Sequence, residues 1–485
     1  MRNGKAYIDS LKDDREVWMD GEKIKDVTEH PALRPAIDAT AHLYDLQHEA
    51  ATKAALSWEA PELGQIIGRT FQPPRSLQDF QARRAATRIW METSCGFMGR
   101  APDFLNTVLM SFKAKSSFFA MQSIERQQAV EHYVDSAARE DLFLTHGLND
   151  PLPNKTKARH AQEDAGVVLH VEEETSAGLI VSGAKVVATA AAYANDALMF
   201  PMPANQVPGD EAYALCVSVP IASPGLKVIC RGSFMHPGRH ADFPLSSRFD
   251  EMDSVLVFDR VLIPWDRVFL HGDVGLINSM YGVCKVREMT AHQTNIRLQI
   301  KMEFLYALLV KIARMLGIED TPWVAQALGE TATWVEVLRS SIATSEHEAE
   351  RDPENGILYP RFESIGIGRV LGPRMYTETI QKIRRIAGSI LMQAPGSLSI
   401  LDTDAGALIE RYYKGTGVSA REKISLARLA WDVCGTEFGS RHALYELFYA
   451  GDPDALMARF HKDYARRDLH LEVFERVMGR LDGTA

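Results

Sequence analysis

The sequence predicts an α+β protein in which a helical part, a central β part and a second helical part follow one another. Two observations predict this order. Apolar residues recur three and four positions apart up to about residue 145 and again after about residue 273, as on one face of a helix, whereas short β-branched runs fill the segment between. A length of 485 residues exceeds what one hydrophobic core supports, so two to four domains are expected.

The N-terminal part, predicted as a helical domain over residues 1–145, contains clear helical patterns. The segments HPALRPAIDATAHLYDLQHEA and SLQDFQARRAATRIWMETSCGF each place their apolar side chains on one face. A further helix start is indicated at Pro102-Asp103, because proline is favoured in the first turn of a helix.

The central part, residues 146–272, is predicted to be a compact, barrel-like β domain. Its candidate strands are the runs VVLHVEEE, GLIVSGAKVVATA, DALMFPM, YALCVSVP, LKVICRG and SVLVFDRVLIP. Turns are predicted between them at Ser182-Gly183, Pro208-Gly209 and Ser223-Pro224-Gly225.

The C-terminal part, residues 273–485, is predicted to be a helical bundle. The apolar stripes of RLQIKMEFLYALLVKIARML and REKISLARLAWDVCGTEF are wide enough to be buried by other helices. Another helix is predicted after Gly451, because Asp452 can cap it and Pro453 can occupy its first turn. Its free backbone N–H groups would accept a pyrophosphate, although a plain capped helix explains the same residues.

Composition excludes several classes of protein. Lys plus Arg number 54 against 64 Asp plus Glu, and a net charge of −10 disfavours nucleic acid as the main partner. Five cysteines lie far apart without a CxxC pair, which suggests neither a disulfide framework nor a zinc site and fits a reducing cytoplasm. No run of 18 apolar residues predicts a membrane span. Neither GxGxxG after a strand nor a P-loop is present, so any dinucleotide must be held by other means.

Three residues are candidates for chemistry, and each has a simpler explanation. Arg100, between a glycine and the Pro-Asp helix start, could stabilise an oxyanion, or it could be a surface arginine beside an Asp103 cap. His146 lies where helices give way to strands and could hold a proton near neutral pH, or it could be a structural hydrogen-bonding histidine. Thr189 could bond the edge of a planar heterocycle, although threonine is common in strands.

Six blocks of sequence resemble a known family. In order from residue 4 to residue 453 they are GKAYIDSLKDDREVWMDGEKIKDVTEHPA, GFMGRAPDFLN, THGLNDP, IVSGAKVVATA, FPLSSRFDEMDSVLVFDRVLIPWDRVF and GTEFGSRHALYELFYAGDP. They resemble the oxygenase components of the two-component 4-hydroxyphenylacetate 3-monooxygenase and chlorophenol monooxygenase family. The resemblance implies an acyl-CoA dehydrogenase-like fold, a homotetramer built as a dimer of dimers, and a separate NAD(P)H:flavin reductase that supplies FAD as FADH2.

The resemblance also implies roles for residues. Arg100 in the GRxPD motif and His146 in the THxL motif match residues that contact the phenol oxygen, His146 lying also beside the cofactor. The positions that match flavin contacts are Leu152, Pro153, Asn154, Lys155, Thr189, Gly451, Asp452 and Pro453. Reduced FAD and dioxygen would give a flavin 4a-hydroperoxide that hydroxylates a phenol ortho to its OH. Arg100 would stabilise charge on the phenol oxygen, and His146 would take or share its proton. The Gly and Pro content of residues 203–209 predicts a loop, which is the candidate roof of the site against water.

Two departures from the family bear on the substrate. Phe104 stands where the hydroxyphenylacetate enzymes carry a tyrosine that contacts the phenol oxygen. Met202-Pro203 stand where relatives place small hydroxyl residues against the substrate carboxylate. Because burying a carboxylate without donors costs several kcal/mol, a neutral, substituted or halogenated phenol, or one with a carrier-bound tail, is expected rather than 4-hydroxyphenylacetate itself.

Other proteins of the implied fold remain alternatives. An acyl-CoA dehydrogenase-fold flavoenzyme acting on an acyl thioester or a carrier-bound substrate would need a glutamate base, which no motif places. The iron–sulfur dehydratase of this fold would need a cysteine pair in the first helical domain, and only Cys95 lies there, although His292 lies in a comparable helix. An inactive helical scaffold would be favoured had Arg100 or His146 been replaced.

Overall fold

The computed structural model describes residues 1–202 and 204–481, and in it helices, sheets and helices follow one another as the periodicity predicts. The first part begins with elements that are mostly helical. They are α1 (Gly4–Asp9), β1 (Glu16–Met19), β2 (Glu22–Ile24), α2 (Arg34–Leu46), α3 (Lys53–Leu56), β3 (Ser57–Ala60), β4 (Gln65–Gly68), α4 (Leu77–Thr93), α5 (Pro102–Ala114), α6 (Ser116–Phe119) and α7 (Ile124–Glu140). The two predicted amphipathic helices are therefore confirmed as α2 and α4, and Pro102 opens α5 as predicted.

The central part is formed by strands with one short helix. They are β5 (Leu144–Gly147), β6 (His170–Glu174), β7 (Gly178–Thr189), β8 (Asp196–Met199), β9 (Leu215–Pro220), β10 (Leu226–Cys230), α8 (Ser246–Phe249), β11 (Asp253–Pro264) and β12 (Val268–His271). Each of the six predicted runs contains one of these strands, while β5 and β12 were not predicted.

The last part is helical apart from one small hairpin. Its elements are α9 (Val274–Val283), α10 (Val286–Leu316), α11 (Pro322–His347), β13 (Glu350–Arg351), β14 (Leu358–Tyr359), α12 (Phe362–Ala387), α13 (Ile390–Gln393), α14 (Gly406–Tyr412), α15 (Ala420–Cys434), α16 (Glu437–Phe448), α17 (Pro453–Lys462) and α18 (Arg467–Leu481). Helix α10 packs against α11, α12, α5 and α4, so it joins the bundle to the first part. None of the helices in the described ranges is long and apolar enough to cross a membrane.

Two sheets form the middle layer. The larger has the strand order β2-β1-β10-β11-β7-β6, and the smaller has the order β12-β9-β8-β5. The N-terminal strands β1 and β2 thus belong to the central sheet, whereas the sequence predicted a mostly helical domain with no strand here. The pattern was missed because β1 spans only four residues, of which only Val17 and Met19 face the core.

The turn predicted at Ser182-Gly183 is wrong, because strand β7 runs straight through it. Gly183 has φ +107°, and a Cβ there would lie 2.3 Å from the carbonyl oxygen of Val168. Glycine is needed for the close approach of two backbones rather than for a reversal of the chain. The other two predicted glycine turns, at Gly209 and Gly225, are present.

Candidate active site

Arg100 lies between α4 and α5, where three parts of the chain meet. Its side chain is buried, with a residue exposure of 7%, so it is not the surface arginine of the simpler explanation. The backbone N–H donates to Glu251 Oε1 at 2.7 Å, and Nη1 donates to the Tyr445 hydroxyl at 2.5 Å. A Cβ on Gly99 would lie 2.4 Å from that hydroxyl, so only glycine lets Tyr445 reach Arg100.

His146 lies on β5 and accepts a hydrogen bond from the Arg100 side chain. Arg100 Nε donates to His146 Nε2 at 2.7 Å. Because a guanidinium only donates, Nε2 must accept, and the proton of the neutral ring is on Nδ1. His146 Nδ1 is buried and has no hydrogen-bond partner among the described residues, which leaves a donor available to a ligand.

The pKa of His146 differs from the near-neutral value expected from the sequence. Burial, and then the charge of Arg100, lower the pKa of His146 to about 3. The ring is therefore neutral across the physiological range. With Nε2 occupied, this geometry makes His146 a hydrogen-bond donor through Nδ1 rather than the expected proton acceptor.

Asp103 does not cap α5, contrary to the simpler explanation of this motif. Its carboxylate lies inside the first turn and accepts from Gln293 Nε2 at 3.0 Å. Burial raises the pKa of Asp103 to about 7. The group is thus half protonated near neutral pH.

An apolar wall lies beside the Arg100–His146 pair. The Phe104 ring faces both residues, 4.3 Å from the Arg100 guanidinium carbon and 5.9 Å from the imidazole centroid. Phe104, Leu148 and Met202 pack against the same hydrophobic cluster. Met202 N–H also donates to the carbonyl of Leu148, the residue that follows β5, at 3.1 Å, which ties the segment before the predicted roof to the end of the strand that carries His146. Pro203 lies outside the described residues.

Thr189 ends β7 close to the same centre. Its hydroxyl donates to Asp253 Oδ1 at 2.8 Å, and its carbonyl accepts from the Thr145 hydroxyl at 2.6 Å. Thr145 immediately precedes His146, so the strand β5 holds the predicted substrate residue and the predicted flavin residue together.

The predicted flavin loop and helix start lie at the surface. Asn154 forms a local turn by accepting from the Thr156 backbone and hydroxyl, and Leu152 is half-buried beside exposed Lys155. Asp452 caps α17 by accepting from Ala455 N–H at 2.9 Å, with Pro453 in the first turn, so the predicted capped helix is confirmed. Gly451 precedes the cap with φ +119°.

Residues 204–209 form the loop that the composition predicted. Gln206 fastens it, because its backbone N–H donates to Asn278 Oδ1 at 3.0 Å and its side-chain amide donates to the Tyr213 carbonyl at 2.8 Å. In the part of the chain that the structure describes, no group of three or more His, Cys, Asp or Glu side chains could hold a metal ion.

Four residues of the site were not predicted: Glu251, Asp253, Arg441 and Tyr445. The first two lie in the FDEMD segment, whose last residue, Asp253, begins β11, and the other two lie four positions apart on α16. That spacing puts two polar side chains on one helix face.

Comparison with known proteins covers the whole chain. The family model described as 4-hydroxyphenylacetate 3-hydroxylase N terminal matches residues 3–270, and the model of the C terminal matches residues 277–474. The chain is 34% identical to a 4-hydroxyphenylacetate 3-monooxygenase oxygenase component from Geobacillus, over 99% of this chain and 97% of that protein.

Another relative differs in its named substrate. The chain is 34% identical, over 93% of its length and 85% of the relative, to a Streptomyces globisporus monooxygenase of a chlorohydroxyphenyl amino acid held on a peptidyl-carrier protein. Among solved structures, the oxygenase component of 4-hydroxyphenylacetate 3-monooxygenase complexed with FAD and 4-hydroxyphenylacetate matches with a TM-score of 0.94 at 31% identity, covering 100% of both chains.

Proposed function

The chain belongs to the 4-hydroxyphenylacetate 3-hydroxylase family, and from this premise we propose how its own residues carry out the reaction. It is the oxygenase component of a two-component flavin-dependent hydroxylase, a phenol monooxygenase that uses reduced FAD and dioxygen. Its fold is the acyl-CoA dehydrogenase-like fold of that family.

One observation carries the assignment of the substrate site. Arg100 and His146 form a buried pair in which the unpartnered Nδ1–H of His146 needs an acceptor. A phenolate oxygen supplies that acceptor, and Arg100 supplies a fixed positive charge beside it. A phenol titrates near pH 10 in water, so two donors at its oxygen favour the ionised form and enrich the ring in electrons.

The residues present fit a flavin next to this pair. The hydroxyl of Thr189, the loop Leu152, Pro153, Asn154, Lys155 and the helix start Gly451, Asp452, Pro453 would hold it. The ring of His146 would lie beside it, while its Nδ1–H serves the phenol oxygen. Pro453 has no N–H and the Ala455 N–H already donates to Asp452, so in this first turn the N–H of Asp454 would be the one offered to a pyrophosphate. When bound, reduced flavin supplies two electrons to dioxygen, so that one oxygen atom enters the ring ortho to the OH and the other leaves as water.

The protein's own contribution is orientation and exclusion of water. Arg100 and His146 fix the phenol oxygen, and therefore the ring carbon that reacts, relative to the cofactor. We assign the roof to residues 203–209, of which the described residues 204–209 are fastened through Gln206 to Asn278 on α9 and to the Tyr213 carbonyl. A closed roof limits the loss of oxidising equivalents to water as hydrogen peroxide.

The physiological substrate is a neutral, substituted or halogenated phenol, or one with a carrier-bound tail, rather than free 4-hydroxyphenylacetate. Phe104 offers no hydroxyl to the phenol oxygen, and Met202 is apolar and packs in the same cluster. The relative named for a carrier-protein substrate supports the carrier-bound class. The chain is also 34% identical to a relative named for 4-hydroxyphenylacetate. The substrates named for these two relatives share a phenol ring, so the proposed common chemistry takes place at that ring.

Two kinds of partner are proposed. A separate NAD(P)H:flavin reductase supplies the reduced FAD. A homotetramer, as a dimer of dimers, is supported by α18, a helix without a buried residue that exposes Leu469, Leu471 and Phe474. The five cysteines are free, which supports a cytoplasmic location.

Reconstitution tests the function. The purified chain is supplied with NADH, FAD, dioxygen and a phenol, with and without an unrelated flavin reductase, and the product is identified by its mass. Hydroxylated product is expected only with the reductase. Product without it would contradict the two-component assignment, and no product from any phenol of the screen would contradict the proposed substrate class.

A further inference from the structure

A buried chain of charges joins the proposed phenol site to the proposed flavin site. Arg441, on α16, donates to Glu251 Oε2 at 3.3 Å and to both oxygens of Asp253 at 2.7 Å each. The other oxygen of Glu251 accepts from Arg100 N–H at 2.7 Å, and Asp253 accepts from the Thr189 hydroxyl at 2.8 Å. Arg441 thus stands between two carboxylates, one fixing Arg100 and one fixing Thr189.

The contacts are made away from bulk water. The side chains of Arg441 and Glu251 are 9% and 3% exposed, and that of Asp253 is 20% exposed. Burial strengthens each charge-assisted hydrogen bond and makes an unpaired member costly. The bidentate bond to Asp253 also fixes direction, because the planar guanidinium matches the carboxylate in only a few orientations.

Arg441 also has a second route to Arg100. Tyr445 lies four residues further along α16, on the same face, and its hydroxyl accepts from Arg100 Nη1. One helix therefore fixes the Arg100 side chain directly through Tyr445 and the Arg100 backbone indirectly through Glu251. Asp253 is held from a second side by Arg231, whose Nε lies 3.3 Å from Oδ2.

We propose that Arg441 is a positioning residue that sets the phenol-binding arginine and the flavin-binding threonine relative to each other, through Glu251 and Asp253 respectively. This inference rests on the proposed function, because it assigns a purpose to a contact between those two sites. It further predicts that the two carboxylates have separate effects: Glu251 affects phenol binding, and Asp253 affects flavin binding.

Conservative variants of the full chain test the two branches. Glu251→Gln, Asp253→Asn and Arg441→Gln are compared with the unmodified protein by two readouts: the KM for a neutral phenol with a saturating reductase system, and the Kd for reduced FAD in anaerobic titration. Glu251→Gln should raise the phenol KM about tenfold with little change in flavin Kd, and Asp253→Asn should do the reverse. Arg441→Gln should raise both. Arg441→Lys keeps the charge without the bidentate geometry and should lie between.

The matched control is Arg267→Gln, which breaks another partly buried arginine pair, with Asp196 at 2.6 Å, and whose hydrogen bonds go to Asp196 and Ser218 rather than to a residue of the charge chain. It should lower the melting temperature and leave both readouts unchanged. Equal shifts of both readouts in all variants, or shifts in the control of the same size, would overturn the inference in favour of a structural role. If Arg441→Gln does not fold, the test rests on whether Glu251→Gln changes mainly the phenol KM and Asp253→Asn changes mainly the Kd for reduced FAD. An unmodified protein that binds no reduced FAD would instead overturn the proposed function.

Discussion

His146 is oriented by its neighbour rather than by its own strand. Arg100 occupies Nε2, so Nδ1 must carry the proton, and burial keeps the ring neutral. Arg100 is fixed in turn by Glu251 and Tyr445. The two residues therefore act as one donor site, and loss of either should disorient the other.

Truncation of this pair is expected to uncouple the reaction. In Arg100→Ala and in His146→Ala, reduced flavin should still react with dioxygen, but hydroxylation should fall by roughly 10² to 10³ because an oriented donor to the phenol oxygen is lost. Hydrogen peroxide should replace the product. Product mass and a peroxide assay measure this, with the exposed Arg339→Ala and His42→Ala as controls. Unchanged hydroxylation in both site variants would contradict the assigned roles.

Phe104 and Met202 are expected to set the preference for uncharged phenols. Phe104→Tyr combined with Met202→Ser adds one hydroxyl near the phenol oxygen and one in the apolar cluster, so the ratio of kcat/KM for 4-hydroxyphenylacetate to that for a neutral phenol should rise. The exposed pair Phe448→Tyr with Met121→Ser is the matched control. A native preference for the free acid of about tenfold, or roughly 1.4 kcal/mol, would contradict the argument.

Asp103 should make stability depend on pH. Its pKa is about 7 in the folded chain against an ordinary 3.8, so between about pH 4 and pH 7 the unfolded chain ionises while the folded chain holds the proton. Folding is therefore favoured at the acid end, and that advantage, at most about 4 kcal/mol, is lost as pH rises to 7. Asp103→Asn should raise the melting temperature at pH 8 more than at pH 5. An equal change in the exposed Asp14→Asn would contradict this cause.

At the scale of elements, the site depends on where elements end. Arg100 precedes the first turn of α5, His146 lies on a four-residue strand, and Thr189 is the last residue of β7. Helix α16 brings Tyr445 to Arg100, and it brings Arg441 to Asp253, which accepts from the Thr189 hydroxyl. Short segments between long elements can thus hold functional side chains whose positions the long elements fix.

Helix α18 is expected to mediate assembly of the proposed homotetramer. Its Leu471 and Phe474 are exposed in the described part of the chain, and burying each against another copy contributes about 1.5 to 3 kcal/mol. Leu471→Glu with Phe474→Glu should weaken association by at least about tenfold, seen as a lower mass in sedimentation. Glu475→Lys, on the same helix, is the control. An unchanged mass in the double variant would contradict the role of α18.

For the whole molecule, we propose three domains over residues 1–145, 146–272 and 273–485. The N-terminal hairpin of β1 and β2 pairs with β10 of the central sheet, so the first domain contributes strands to the second. The proposed active site lies between all three, since Arg100 belongs to the first, His146, Thr189 and Glu251 to the second, and Tyr445 to the third. A site enclosed between three domains can exclude water, as the proposed reaction requires.

The sequence by itself determined the order of helical, β and helical parts, the six long strand runs, the capped helix at Asp452, and the candidates Arg100, His146 and Thr189. These follow from local causes: periodicity of apolar residues, capping chemistry and short motifs that resemble a family. The tertiary structure alone decided that the free ring nitrogen of His146 is a donor, that Asp103 is buried instead of capping α5, and that hydrogen bonds of Glu251, Asp253 and Arg441 link Arg100 to Thr189. Each of these depends on contacts between residues far apart in sequence, which set burial, protonation and hydrogen-bond direction, and no local pattern records such contacts.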